Sequence, residues 1–275
     1  LSGDRLGAAR ARIAATRQLE TVFTAMRGLA AARSHEAQKS LEGVRAYAHA
    51  LGETIGVALA LAPDEPTTRP PAARHILLAF CAEQGFVGAF DRRILDAARR
   101  LGVGAALYVV GQRGVASAGE QGLAIAWSTP MIAHAADAPL LAERIADALY
   151  ETLSETESTR VTLVHSAPSQ TGAGDIVARP LVPLDLTRFP VAAGANPPLV
   201  NLPPPALIAT LAEEYIFAEL CEAALLSFAS ENMARMMAMT AARNNVRKTI
   251  DDLVAQHRRL RQEQITEELI ELTRP

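Results

Sequence analysis

Two glycine pairs, Gly85-x-x-Gly88 and Gly111-x-x-Gly114, stand where apolar runs give way to helical patterns. That placement could let backbone amides cradle a phosphate. A nucleotide-hydrolysing loop needs Gly-x-x-x-x-Gly-Lys-Ser/Thr, and neither Lys39-Ser40 nor Lys248-Thr249 carries the preceding glycine. Both glycine pairs therefore read as tight turns. The six histidines (His35, His49, His75, His134, His165 and His257) show no pair at ligand spacing on one element, so no metal is expected. Cys81 and Cys221 lie far apart and point to a reducing compartment. With no nucleophile and base in register, catalysis by this chain is not expected, and no cofactor is expected.

Composition narrows the remaining classes. The 275 residues are 49% hydrophobic, enough for a core, while aromatics are only 4%, which suits close-packed helices better than a β-sandwich. A net charge of −3 and the absence of a Lys/Arg block argue against nucleic acid as a partner. No apolar run approaches the roughly 18 residues of a membrane span, and the first residues form no signal-like apolar core. Any membrane association is expected to come through partners, without direct insertion.

Three sections must position whatever the chain does. Residues 1–62 read as one long helix whose seam steps by threes and fours through Leu19, Phe23, Met26, Ala30, Arg33, Ala37, Leu41, Val44, Ala48, Leu51, Ile55 and Ala58. Gly28, Gly43, Gly52 and Gly56 each weaken it by about 1 kcal/mol relative to alanine. The prolines Pro63, Pro66, Pro70 and Pro71 end it. Residues 73–198 change period. Strands are expected at Ile76–Cys81, Ala105–Val110 and Val161–His165, a weaker one at Leu123–Ala126, and an edge at Ile176–Leu184 broken by Pro180 and Pro183. Helices at Asp91–Leu101 and Pro139–Ser154 alternate with them, so the section reads as βαβ units with a mostly parallel sheet. After Pro197, Pro198, Pro203, Pro204 and Pro205, residues 204–275 form a second long helix, on the order of 100 Å at ~1.5 Å per residue. Neither terminal helix can bury its stripe alone. The fold class is therefore α/β, with the two terminal helices wound into a long antiparallel coiled coil around a central α/β domain. On this reading Leu19, Phe23 and Met26 lie against Leu253, Leu260 and Ile265.

The last helix carries Ser230-Glu-Asn-Met-Ala-Arg235-Met-Met-Ala-Met239 and then Arg261-Gln-Glu-Gln-Ile265-Thr-Glu-Glu-Leu269. These segments resemble the gamma subunit of rotary F-type ATP synthases, whose pattern is Ser-Glu-x-x-x-Arg-Met-x-Ala-Met followed by Arg-Gln-x-x-Ile-Thr-x-Glu-Leu. The opening helix is similar as well, through Arg10, Arg12, Ile13, Thr16 and Gln18 and through Thr24-Ala-Met26. Gly85-Phe-Val-Gly88-Ala-Phe90 looks like the family's Gly-Leu-x-Gly-x-Phe turn, and Gly111-Gln-Arg-Gly114 like its Gly-x-Lys-Gly turn. Two positions depart from the pattern. Glu83-Gln84 stands where an acidic and a basic residue are usual, removing a local charge partner, and Arg258 replaces an asparagine. The departures suggest a divergent branch, such as the alternative ATPases of some bacteria.

The resemblance implies a central Rossmann-like domain and a rotor shaft, not an enzyme in its own right. It implies an α3β3 catalytic ring, an epsilon subunit and a membrane c-ring as partners, at the cytoplasmic face of a bacterial inner membrane. Residues implied to meet the catalytic ring are Met26 and Arg27 on the first helix and Arg258, Arg261, Gln262, Thr266 and Glu268 on the last. Met233, Met236, Met237 and Met239 read as adaptable filling against the first helix. Two other classes stay open from the residues alone: a nucleotide-binding Rossmann-like enzyme using the sheet's crevice, and a coiled-coil scaffold needing only the terminal helices.

Overall fold

The computed structural model describes residues 2–62, 74–102, 104–154, 159–169, 174–191 and 199–272. The proline breakers Pro63, Pro66, Pro70, Pro71, Pro197 and Pro198 lie outside the described residues. Two helices dominate: α1, Ser2–Leu61, and α5, Pro204–Leu272. Pro204 and Pro205 occupy the first turn of α5, where a missing amide hydrogen costs nothing, and no other proline interrupts it. Both helices contribute to each of two compact units, residues 1–31 with 235–275 and residues 32–234.

In the first unit α1 and α5 run antiparallel. Arg10 Nε donates to His257 Nε2 at 3.3 Å and Arg247 Nε to Glu20 Oε1 at 2.6 Å, so α5 numbers fall as α1 numbers rise. Buried or half-buried residues recur at Leu6, Ile13, Thr16, Glu20, Phe23, Met26 and Ala30 on one helix. On the other they recur at Met239, Arg243, Val246, Ile250, Leu253, His257 and Leu260. The expected seam holds from Phe23 onward, but Leu19 is 51% exposed. Glu20 takes its place, because Arg247 and Arg243 converge on the carboxylate and satisfy it there. Arg247's hydrogen bond is the main cause that holds the Glu20 carboxyl below its ordinary range. The register also differs from the expected one. Glu20 faces Arg243 and Arg247, so Leu19, Phe23 and Met26 belong with this stretch of α5, and Ile265 is 47% exposed. A seam fixes which face is buried and leaves the register to specific pairs such as these.

The second unit is an α/β domain. After α1 come β1 (Arg74–Phe80), α2 (Phe90–Leu101), β2 (Ala106–Val110), α3 (Gln112–Glu120), β3 (Ile125–Thr129), α4 (Ala138–Ser154), β4 (Thr159–Ala167) and β5 (Asp175–Val182). The sheet order is β3-β2-β1-β4-β5, with β5 alone antiparallel. Alternation along β1 splits the core. Ile76, Leu78 and Phe80 face α4 and the coiled-coil residues Ala37, Leu41, Leu220 and Leu225, while Leu77, Ala79 and Cys81 face Ile94, Leu95 and Ala118 of α2 and α3. Pro180 sits within β5 opposite Thr162, where the register shifts, because an edge strand spares the missing amide hydrogen. Helix α3 escaped the sequence reading, since two glycines in nine residues hide its pattern.

A third cluster, Leu51, Ile55, Phe189, Tyr215 and Ala218, closes the far end of this unit. There Gly56 has a structural purpose, as any Cβ would collide with the Pro190 carbonyl, whereas Gly43 has open space around it. Gly43→Ala is expected to stabilise the chain by about 1 kcal/mol through helix propensity. Gly56→Ala should lower the denaturation midpoint despite the same propensity gain, and paired urea titrations check both. For the register, cysteines at positions 20 and 247 should be bridged by a short thiol cross-linker, and cysteines at 23 and 265 should not.

Candidate functional site

Two places could act: the crevice at the carboxyl ends of the strands, and the exposed faces of the helix pair. At the crevice, Gly85 needs no special backbone, while Gly88 has φ 62° and lets the chain turn so that Val87 and Phe90 drop into the α2 side of the core. Gly111, at φ 105°, has two carbonyl oxygens, of Cys81 and Ala82, 2.6 Å from where a Cβ would stand. Gly114 does not belong to a turn. It lies in the first turn of α3, pressed against Cys81.

The amides at the start of α3 that would hold a phosphate are already used. At the α3 N-terminus Gln112 N donates to Glu83 Oε2 at 3.1 Å, and Arg113 N and Gly114 N donate to Ala82 O at 3.1 and 3.3 Å. Ala82 N donates to the buried Asp91 carboxylate at 2.7 Å. Helix N-termini attract anions because their first amides lack partners, and here they have them. Glu83 also accepts from Met131 N at 2.7 Å, tying the loop after β3 to β1. Where the sequence suggested a lost charge partner for Glu83, the structure gives it two backbone donors instead. The Gly-x-x-Gly spacing could not reveal that an internal carboxylate fills the crevice.

Both thiols are buried and free. Burial first, then the charges of Asp91 and Glu231, holds the Cys81 thiol well above its ordinary value, and burial pushes the Cys221 thiol up to about 12. Among the described residues no group of three or more His, Cys, Asp or Glu side chains could hold a metal ion.

The two motifs of α5 part company. Ser230, Glu231 and Asn232 are buried, with Asn232 Nδ2 donating to Phe228 O at 2.8 Å, and Ala234 packs against the α2 and α3 side of the core. Arg235 is buried too. This stretch holds the chain together. Of the methionines, Met239 is buried, Met233 and Met236 are half-buried and Met237 is exposed. Arg258, Arg261, Gln262, Thr266 and Glu268, by contrast, are all exposed on α5. Spacings of three and four put Arg258, Arg261, Gln262, Ile265 and Glu268 on one stripe, beside the seam of Leu253, His257 and Leu260. Thr266 Oγ1 donates to Gln262 O at 2.9 Å and Gln264 Nε2 to Glu268 Oε1 at 2.8 Å, while no ion pair among the described residues holds Arg258 or Arg261. On α1, Met26 is half-buried in the seam and Arg27 is exposed.

One feature of the first unit escaped the sequence reading. Leu19, Val22 and Leu29 form an exposed apolar row on α1, and Ile265, Leu269, Ile270 and Leu272 are exposed near the end of α5. The signal was present as apolar residues beside the seam, at spacings of three and seven.

A family model described as ATP synthase matches residues 5–274. The ATP synthase gamma chain of Beutenbergia cavernae is 30% identical over 95% of this chain and 93% of its own length. The chain belongs to the ATP synthase gamma-chain family. The gamma chain of Frankia casuarinae is similar at 28% identity, over 96% of this chain and 94% of its own. The fold is shared with a chain in the Euglena gracilis mitochondrial ATP synthase, from a structure of its OSCP/F1/c-ring part. The TM-score is 0.65 at 14% identity, covering 98% of this chain and 93% of that one. A chain in the central stalk/c-ring structure of the Tetrahymena thermophila enzyme has a TM-score of 0.58 at 20% identity, over 80% and 99%. A gamma chain is a non-catalytic subunit, the rotor of the central stalk.

One buried group is expected to make this gamma chain sensitive to acid. Burial is the main cause that lowers His165 to about 4, with Arg179 adding to the effect, while the Ser166 carbonyl and Glu222 oppose it. The neutral ring is the folded form, so its contribution is complete above the unfolded value near 6.5 and is lost as pH falls from there toward 4. The loss attributable to His165 is roughly 3 kcal/mol. Urea titrations at pH 7 and pH 4.5 should show a smaller drop for His165→Asn than for the wild type.

Proposed function

We propose that this gamma chain turns inside a catalytic ring of alpha and beta subunits and couples ion flow across a membrane to ATP synthesis or hydrolysis. In this reading residues 1–62 and 204–275 are the shaft helices and residues 73–198 the α/β domain that meets an epsilon subunit and a membrane c-ring. The complex sits at the cytoplasmic face of a bacterial inner membrane. The chain itself stays peripheral, as no helix among the described residues is long and apolar enough to cross a membrane.

The observation that carries the reading is the exposed stripe of α5. Beyond Leu260 α5 is exposed nearly all round, with Arg261, Gln262 and Ile265 in the open and Arg258 just before them, and α1 adds exposed Leu19, Val22 and Leu29. Exposed apolar rows of this kind mark a surface that a partner covers. Guanidinium and amide groups among them can hold directional hydrogen bonds in one rotational state and release them in the next. Arg258, Arg261, Gln262, Thr266 and Glu268 on α5, with Met26 and Arg27 on α1, are assigned this ring contact.

The mechanism follows from asymmetry. One helix pair inside a ring of catalytic sites offers each site a different face, so the sites differ in conformation and affinity at any instant, and rotation exchanges their states. Work is done only through differential binding, because a shaft contacting every conformation equally would shift none of them. The turn glycines Gly88 and Gly111, and the packing glycine Gly114, serve the α/β domain's own fold, whereas Gly85 stands in the loop with no such need.

The test is a double substitution, Arg261→Ala with Gln262→Ala, in the reconstituted complex. Each lost charged contact is worth about 1.5–3 kcal/mol, while an exposed helical change to alanine barely alters the helix. ATP turnover should fall at unchanged subunit stoichiometry, and further when Arg258→Ala is added. Wild-type turnover in both variants would make the stripe an inert surface.

A further inference from the structure

β5 is one of the two edge strands of the sheet, and the face it turns toward the coiled coil carries an arginine. Arg179 stands opposite Leu163, which belongs to the core shared with α1, α4 and α5. Its guanidinium pairs through Nη2 with Oε2 of Glu219, a residue of α5 that is 3% exposed. The other carboxylate oxygen of Glu219 lies 3.5 Å from Arg188 Nη2, on the 3-10 turn Leu186–Arg188. Arg188 also reaches the Tyr215 hydroxyl at 3.3 Å, and its guanidinium carbon lies 5.7 Å from that ring's centre. One turn along α5, Glu222 takes Arg45 of α1 at 2.9 Å and approaches Arg179 at 3.9 Å.

The edge strand, the segment after it and both long helices therefore meet on two carboxylates. Apolar contacts between a sheet and a helix tolerate sliding, since one methyl group packs much as another does. A buried carboxylate held on both oxygens does not, because any shift along the helix leaves a charge without its partner. Burying such a pair adds little net stability, so its effect is to fix one position of the helix.

We propose that Glu219 is a positioning residue of the rotor: clamped between Arg179 and Arg188, it locks α5 to the edge of the sheet so that force on the α/β domain passes into α5 without slip. The proposal rests on the rotor reading above. It requires that loss of the clamp uncouples motion before it unfolds the chain.

The experiment measures ATP hydrolysis and ATP-driven ion uptake together, in vesicles holding the complete complex. Glu219→Gln removes the charge. Arg179→Met with Glu219→Leu removes the pair and keeps its volume, which protects the fold if the first variant leaves its arginines stranded. Both variants should assemble and hydrolyse ATP at near wild-type rates, while ions moved per ATP fall about threefold or more. Wild-type transport per ATP in an assembled variant would overturn the proposal. So would hydrolysis and transport falling in equal proportion, or failure of both variants to assemble, since either makes Glu219 a folding residue only. If the wild-type chain itself forms no complex with an alpha and beta ring, the rotor reading fails first, and that result is distinct from any effect of Glu219.

Discussion

From Ala218 to Asn232, α5 is buried almost all round, and the α/β unit depends on that burial. A helix apolar on one stripe can lie on a surface, but one enclosed on every side must be fitted between elements. The residues there are small or polar at close approaches: Ala218, Ala223, Ala224, Ser227, Ala229 and Ser230. Ser34 Oγ of α1 donates to Ala229 O at 3.3 Å, a contact that larger side chains would hold apart. On another side of the helix, Leu220, Leu225 and Phe228 fill the core above Ile76, Leu78 and Phe80. The sheet, α1 and α5 thus form one packed unit that no single element could stabilise.

The strand ends of the α/β domain are arranged like those of a nucleotide-binding fold, with their polar groups used differently. Its strand ends carry the glycines and the helix N-terminus such a site uses, yet Glu83, Asp91 and the Ala82 carbonyl satisfy the amides from within. Glu36 of α1 accepts from Ala135 N at 3.3 Å, so the loop that Glu83 holds at Met131 is also fastened to the coiled coil. Groups that would bind a ligand in an enzyme are spent here on rigidity within the unit. A rotor subunit benefits from that exchange, because a rigid body transmits force with less loss than a loose one.

Much of this was legible in the residues. The three-and-four stepping from Phe23 to Ala58 marks the buried face of α1 correctly, since periodicity reports burial directly. Alternating strands and helices gave the parallel sheet for the same reason. The register of the helix pair was not legible, because it depends on Glu20 meeting Arg243 and Arg247 from residues more than two hundred positions away. The place of Gly114 and the backbone partners of Glu83 were hidden on similar grounds. A glycine in a helix looks like a turn until its neighbour Cys81 is known, and a carboxylate looks unpaired until the amides it accepts from are folded onto it. Both α5 motifs carry charged residues, and burial separates Ser230, Glu231 and Arg235 as internal from Arg261 and Gln262 as exposed.

Rotation of this chain can be watched in single molecules. With the alpha and beta ring fixed to a surface and a probe attached to an exposed position of the α/β domain, ATP should drive stepwise rotation in one direction, stopping when ATP is withdrawn. ATP consumption at full rate with the probe stationary or diffusing at random would contradict the account.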